Sequence, residues 1–398
     1  MISSDKRVGY VLTSYPTAIS QTFIRDEIRE LRKTAWTVVP MSLNRPPDCQ
    51  LDPAASYLKD RSEVVRSAIA LAFRFASPKE FATIRRSLTR PCRGSGISAR
   101  KQLGYLVAAQ TVVRSARKNS VDHIHCHFGD PMAIIASLAH DLSRGSITWS
   151  ATIHGPHDFF DESKVNLSSK IPNAKFIASI SNFTRTQICR QVAPEYWSKV
   201  KIVRCGIDFT NIASSRSQAT DPVVLSVGRL VPEKGQQILL EAVAILRDRS
   251  FKVIARLIGD GPSMAALTGA AADLGIEDRV QFLGNQTPTE VASALGTASI
   301  FCSTSFAEGL PVSIMEAMRQ RVPVVTTAIN GIPELIEHGV TGFLVPTLSP
   351  ESVANAIQRV LNNDFDTETL TDVAFERVRE NHNLEKTVKQ LSDLFSNS

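Results

Sequence analysis

Residues Val223–Leu246 read VVLSVGRLVPEKGQQILLEAVAIL. A β-branched apolar run, Val223–Val227, stops at Gly228. A polar loop leads to Gly235, after which apolar side chains recur at helical spacing through Leu246. Strand, glycine-punctuated loop and helix in this order form half of a βαβ unit. Open α/β sheets bind ligands beyond the carboxyl ends of their strands. Arg229 and Lys234 therefore stand on that rim, near a helix start. Two cations beside the positive end of a helix dipole make a cradle for a diphosphate. The competing reading is a pair of solvated loop cations.

The same alternation runs outward in both directions and predicts an α/β chain with mainly parallel sheets. The first half offers strands at Val8–Leu12, Thr37–Pro40, His123–Cys126, Ser146–Thr152, Phe176–Ser179 and Lys201–Arg204. The second offers Val223–Val227, Phe251–Ile258, Val280–Leu283, Ile300–Ser303, Val322–Thr326 and Gly342–Val345. Residues 61–118 read as helical, interrupted at Gly94, Ser95 and Gly96. A polar linker, Ala213–Pro222, separates the halves. The expected domains are 1–212, 213–372 and a C-terminal helical segment, 373–398, whose last helix, Leu384–Phe395, braces the first domain.

The chain has 398 residues, enough for two such domains. Hydrophobic residues make up 43% and charged ones 21%, which excludes a disordered chain. Six scattered cysteines contain no C-x-x-C pair, so neither a disulfide framework nor a cysteine zinc site is expected. No apolar run reaches the roughly 18 residues of a membrane span, and the N-terminus lacks a signal-peptide core. These features predict a cytoplasmic protein, with any membrane contact peripheral, on the inner face of the plasma membrane.

Charge is uneven. Residues 1–212 carry 30 Lys+Arg against 17 Asp+Glu, and residues 61–118 carry 13 against 2. One reading is a solvated face. The other is attraction to an anionic membrane surface. Nucleic acid is not an expected partner, because no aromatic-interleaved basic strand or recognition helix accompanies the charge.

A second chemistry-bearing stretch is Glu308–Glu316, EGLPVSIME. Pro311 suits the first turn of a helix. Glu308 precedes that helix and Glu316 lies within it. The unpaired N–H groups of Gly309 and Leu310 can hold phosphate or sugar oxygens. Carboxylates accept hydrogen bonds from vicinal hydroxyls. Two other features are weighed as distractors. His123, His125 and His127 alternate on a strand and share a face, but no carboxylate lies nearby in sequence to complete a metal site. Asp364-Phe365-Asp366 follows a helix end and reads as turn chemistry.

The ordered runs SVGRLVPEKGQQILLEAV, LIGDGP, VQFLGN, STSFAEGLPVSIMEAM and VPVVTTAINGIPELIEHGVTGFLVP resemble the retaining glycosyltransferase family 4, of GT-B fold. PTAISQTFIRDEI, HIHCHFG, TIHGPHDFF, SISNFTR and CGIDF resemble its earlier landmarks. The resemblance implies two Rossmann-like domains facing each other across a cleft. It implies that Arg229 and Lys234 neutralise a donor diphosphate, that Glu316 binds the ribose and that Glu308 meets donor-sugar hydroxyls. Gly228, Leu283, Gly309, Leu310 and Pro311 join the donor-binding set. His154 would face the anomeric region. Ser20, Thr22 and His127 would serve the phosphate and acceptor side, although PTAISQT lacks the glycine pair of many members. No metal or other cofactor is implied.

The implied reaction moves a hexose from a UDP- or GDP-sugar to a saccharide acceptor with retention of configuration. The acceptor is expected to be lipid-linked, in bacterial cell-surface polysaccharide assembly. A nucleotide-sugar epimerase and a non-catalytic nucleotide-sugar-binding module are the competing classes. A phosphorylase would need a pyridoxal-phosphate lysine, for which no site is evident.

Overall fold

The computed structural model describes residues 6–15, 22–45, 52–82, 84–85, 96–160, 165–210 and 221–397. Its chain divides into two compact units, Met1–Arg204 with Glu385–Ser398, and Cys205–Leu384. The expected boundary at 212/213 lies outside the described residues, as does most of the linker.

The first unit holds a seven-stranded parallel sheet in the order β3-β2-β1-β4-β5-β6-β7. Its strands are β1 (Lys6–Ser14), β2 (Trp36–Asn44), β3 (Ser56–Tyr57), β4 (His123–His127), β5 (Thr148–Ile153), β6 (Phe176–Ser179) and β7 (Val200–Ile202). Its main helices are α1 (Thr22–Leu31), α2 (Arg61–Phe75), α3 (Ala99–Lys118), α4 (Met132–Leu142) and α5 (Asn182–Gln191). Among the described residues, the helical stretch expected over 61–118 comprises α2, α3 and, between them, helical residues at 78–82 and 84–85. Gly94 and Ser95 fall outside the described residues, and Gly96 takes a φ of 65° that suits glycine.

Strand β4 shows why a histidine-rich strand can be central. Ile124 and Cys126 point into the apolar core with α4. The three histidines point to the other face, and the parallel register sets each opposite a hydroxyl: His123 by Thr148, His125 by Ser150 and His127 by Thr152. His123 bonds Thr148 Oγ1 and Ser150 Oγ, both at 2.8 Å. His125 bonds Ser150 Oγ at 2.7 Å and Thr152 Oγ1 at 3.0 Å. Buried polar groups are tolerated because they are paired.

The second unit holds a six-stranded parallel sheet in the order β10-β9-β8-β11-β12-β13. Its strands are β8 (Val223–Val227), β9 (Ile254–Ile258), β10 (Val280–Phe282), β11 (Ile300–Ser303), β12 (Val324–Thr327) and β13 (Phe343–Val345). The main helices are α6 (Gln236–Asp248), α7 (Met264–Asp273), α8 (Pro288–Thr297), α9 (Val312–Arg319), α10 (Pro350–Leu361) and α11 (Thr367–Asn381). Thr287 and Glu290 form a reciprocal capping box at α8. Asp366, the second acid of the D-x-D, caps α11 by accepting the Thr369 N–H at 3.0 Å.

The last helix, α12 (Leu384–Ser396), returns to the first unit. Ser392 Oγ accepts from Trp36 Nε1 at 2.9 Å, and the Phe395 carbonyl accepts from Lys175 Nζ at 2.7 Å. The Phe395 ring covers the histidine face, 5.2 Å from His123 and 5.3 Å from His125. Helix α11 stays with the second unit, where Phe375 meets Phe209. Among the described residues, no helix is long and apolar enough to cross a membrane.

Candidate functional site

In the second unit the loops after β8, β9 and β11 converge at one sheet edge. Gly228 N–H donates to the Ile258 carbonyl at 2.9 Å, and Leu230 N–H to Asp260 O at 3.0 Å. A Cβ on Gly259 would lie 2.0 Å from the Gly228 carbonyl oxygen, so only glycine permits this approach. Gly235 takes a left-handed turn (φ 59°) at the start of α6, where a Cβ would meet Thr304 O at 2.3 Å. Thr304 Oγ1 donates to the Gly235 carbonyl at 2.8 Å, and Phe306 N–H to Glu233 O at 2.8 Å. These bonds clamp the β8 loop to the β11 loop.

That clamp brings Lys234 and Glu308 together. Lys234 Nζ lies 2.5 Å from Glu308 Oε1, which also accepts from Ser305 Oγ at 2.7 Å. The Glu308 side chain is 10% exposed and Lys234 30%. Charge-assisted bonds of this kind are the strong ones. Arg229 reaches solvent, while its carbonyl is held by Gln236 Nε2 at 3.0 Å. Gly309, Leu310 and Pro311 are buried at the start of α9. Glu316 is half-buried on α9, and its charge acts on the buried Arg319 of the same helix. Leu283 follows β10 and is partly exposed, with its N–H on Leu257 O at 2.9 Å.

In the first unit β4 and β5 end side by side. His127 closes β4 and His154 follows β5. His127 Nδ1 lies 2.8 Å from His154 Nε2, and His127 Nε2 lies 3.2 Å from Glu27 Oε1 on α1. The rings of Phe23 and Phe128 lie 4.6 and 4.9 Å from that of His154. Phe128 takes a φ of 70°, a costly conformation for a bulky residue of the kind that clusters at functional sites. Burial first, then His127, holds the pKa of His154 well below its usual value. Thr22 opens α1 and is half-buried. Ser20 lies outside the described residues.

A buried acid supports the His154 turn from beneath. Asp158 accepts the Gly129 N–H at 2.7 Å and the His154 N–H at 3.3 Å. The fully buried Lys170 donates to the Gly129 carbonyl at 2.8 Å and to Val165 O. Burial raises the Asp158 pKa, opposed by backbone N–H groups and by Lys170.

Glu27, Asp158 and Lys170 were not singled out in the sequence. Glu27 stands 100 residues from His127. It supplies the carboxylate that no near neighbour of the histidine strand offers. Glu27, His125 and His127 bring ligand-type atoms within 4.8 Å of one another, a set able to hold a divalent cation. Both ring nitrogens of each histidine already have hydrogen-bond partners.

Residues 208–377 match the family described as glycosyl transferases group 1. A putative colanic acid biosynthesis glycosyltransferase of Salmonella typhimurium, WcaL, is 31% identical over 49% of this chain and 50% of its own length. The amylovoran biosynthesis glycosyltransferase AmsK of Erwinia amylovora is 32% identical over the same shares. The chain thus spans about half the length of these curated relatives. The crystal structure of Anabaena Alr3699/HepE in complex with UDP covers 99% of this chain and 100% of its own, at 19% identity and a TM-score of 0.71. That likeness shows the fold, which is GT-B.

Proposed function

We propose, for a chain whose residues 208–377 match the glycosyl transferases group 1 family, a nucleotide-sugar-dependent glycosyltransferase of exopolysaccharide biosynthesis. The observation that carries this reading is the pairing of Lys234 with Glu308 beside the start of α9. A donor diphosphate gains negative charge as its glycosidic bond breaks. Lys234, Arg229 and the unpaired N–H groups of a helix start stabilise that charge without reorganising. As Lys234 turns to phosphate, Glu308 is released to accept hydroxyl hydrogens from the transferred sugar. Glu316 takes the ribose. The hexose passes with retained configuration from a UDP- or GDP-sugar to a saccharide acceptor, which is lipid-linked. Charge neutralisation by side chains and backbone makes a metal unnecessary.

The test is a thermal-shift panel of UDP, GDP, ADP and their sugars, followed by transfer assays with and without EDTA. A ligand that binds only the folded state raises the melting temperature. UDP or GDP is expected to stabilise, and transfer to survive chelation. No stabilisation by any nucleotide, or activity lost with EDTA and restored by Mn²⁺, overturns the reading.

The acceptor's lipid class is supported by α2. Val65, Ile69 and Phe73 recur every four residues on its outer face and are 56%, 52% and 76% exposed. Arg66, Lys79, Arg85, Arg100 and Lys101 are also exposed. Helices α2 and α3 run antiparallel, as the Glu63–Arg114 and Ser67–Thr111 contacts require. This sets exposed Leu103 towards the Phe73 end. An exposed apolar helix face in a segment rich in exposed cations complements an anionic bilayer. We place the protein in the cytoplasm, docking peripherally on such a surface.

A further inference from the structure

Ser305 is the middle residue of a segment tied down at three successive positions. Thr304 Oγ1 donates to the Gly235 carbonyl at 2.8 Å. Thr327 Oγ1, at the end of β12, donates to the Ser305 carbonyl at 2.6 Å. Phe306 N–H donates to Glu233 O at 2.8 Å. Ser305 itself is 1% exposed, and its Oγ donates to Glu308 Oε1 at 2.7 Å. We infer that Ser305 is a positioning residue that keeps the Glu308 carboxylate in place when Lys234 leaves it.

The two partners of Glu308 Oε1 differ in what holds them. Lys234 Nζ, 2.5 Å away, ends a flexible four-carbon stem and is partly exposed, so it can turn to another anion. Ser305 has a single side-chain torsion on a backbone fixed to β12 and to the loop after β8. Ser303 Oγ lies 3.2 Å from Ser305 Oγ. The one hydroxyl hydrogen of Ser305 goes to the carboxylate, so Ser303 is the donor in that contact. Both neighbours thus fix the direction in which the Ser305 hydroxyl points. A carboxylate held only by a mobile lysine would turn freely once the lysine moved. With Ser305 still on Oε1 it stays oriented, and Oε2 is the atom left for a sugar hydroxyl. Among the described residues, no hydrogen-bond donor reaches Oε2. An acceptor held in advance costs no reorganisation when the sugar arrives. The meeting of Glu308 with sugar hydroxyls rests on the proposed function.

The test pairs calorimetry with UDP against cleavage of UDP-glucose by the full chain; GDP and GDP-mannose are the probes if the nucleotide panel selects guanine. Ser305→Ala and Ser305→Cys are both expected to bind UDP within about twofold of the unchanged protein and to cleave the donor about tenfold more slowly or worse. Cysteine fills the space of the hydroxyl but donates weakly, so a loss shared by both variants belongs to the hydrogen bond and not to a cavity. In a Glu308→Ala background, Ser305→Ala should change cleavage by less than about twofold, because a residue that acts through Glu308 has nothing left to act on. Near-normal cleavage in Ser305→Ala, recovery in Ser305→Cys, or the same loss with and without Glu308 overturns the inference. If Ser305→Ala does not fold, Ser305→Cys carries the same prediction. A slow Glu308→Ala beside a normal Ser305→Ala removes the inference alone. Normal cleavage in Glu308→Ala removes the sugar role of Glu308 and the inference with it. Neither nucleotide bound and neither donor cleaved by the unchanged protein removes the proposed function, and the inference falls with it.

Discussion

Lys234 on the β8 loop and Glu308 on the β11 loop, 74 residues apart, form one ion pair with Nζ 2.5 Å from Oε1. Two residues with separate expected tasks, diphosphate and sugar hydroxyls, are therefore coupled. On the proposed reading, a phosphate that drew Lys234 away would free Glu308, and binding of the donor's two halves would be linked through this contact.

Removing the cations should damage transfer. Lys234→Ala and Arg229→Ala are each expected to lower kcat/KM more than tenfold, about 1.4 kcal/mol or more of transition-state stabilisation. Lys234→Ala should also lower stability, because it strips a largely buried carboxylate of its partner. Steady-state kinetics and thermal melts of both variants check this. Near-normal transfer in both would refute the diphosphate assignment.

The two glutamates should separate. Glu316→Ala is expected to weaken binding of the free nucleoside diphosphate, since it is assigned to ribose. Glu308→Ala should leave that affinity unchanged or raise it, because Lys234 is released, while turnover falls. Calorimetry with nucleotide alone, beside kinetics with the full donor, distinguishes them. Equal loss of nucleotide affinity in both variants would contradict the division.

The first unit should be acid-sensitive. Burial, with a smaller effect of Lys175, pulls the His123 pKa down to about 3, and burial likewise depresses His125 and His154. In the unfolded chain these groups titrate near the ordinary value of about 6.5. Their contribution is thus fully present above pH 6.5 and is lost as pH falls from there towards 3, where only the unfolded state takes up protons. Each adds a slope of up to about 1.4 kcal/mol per pH unit. The three tryptophans, Trp36, Trp149 and Trp197, all lie in the first unit, so their fluorescence reports its unfolding. The urea midpoint is expected to be flat from pH 8 to 7 and to fall between 6.5 and 5, less steeply in His123→Asn. A flat midpoint down to pH 5 would rule this out.

Membrane docking should need both parts of the α2 surface. Sedimentation with anionic vesicles is expected at low salt and should weaken at high salt, where charges are screened. Arg66, Arg85 and Arg100 changed together to Glu should abolish it, each cation contributing about 1 kcal/mol near an anionic surface. Ile69→Ser with Phe73→Ser should weaken binding while leaving its salt dependence. Equal binding to neutral and anionic vesicles would reduce the stripe and its charges to a solvated face.

The sequence by itself determined what neighbouring residues encode. The run Val223–Val227, the stop at Gly228 and the periodicity after Gly235 specified β8, its loop and α6, because strand and helix periods are local. Each expected strand of the second unit appears, with ends that differ by a few residues, since a terminal residue's pairing depends on its neighbour strand. The turn reading of the D-x-D also holds, because capping spans only three residues. Tertiary structure decided which side chains meet. The order β3-β2-β1-β4-β5 sets α1, β4 and β5 at one edge, and only there does Glu27 reach His127, and His127 reach His154. The histidine strand, isolated from any carboxylate in sequence, gains one from a helix whose placement depends on the crossover between β1 and β2. The same holds for Lys234 and Glu308: each was legible as a charged residue at a strand end, but their bond exists because β8 and β11 are adjacent in the sheet. Parallel neighbours are joined through crossovers, so the residues that share a site are far apart along the chain, and local periodicity carries no information about their distance.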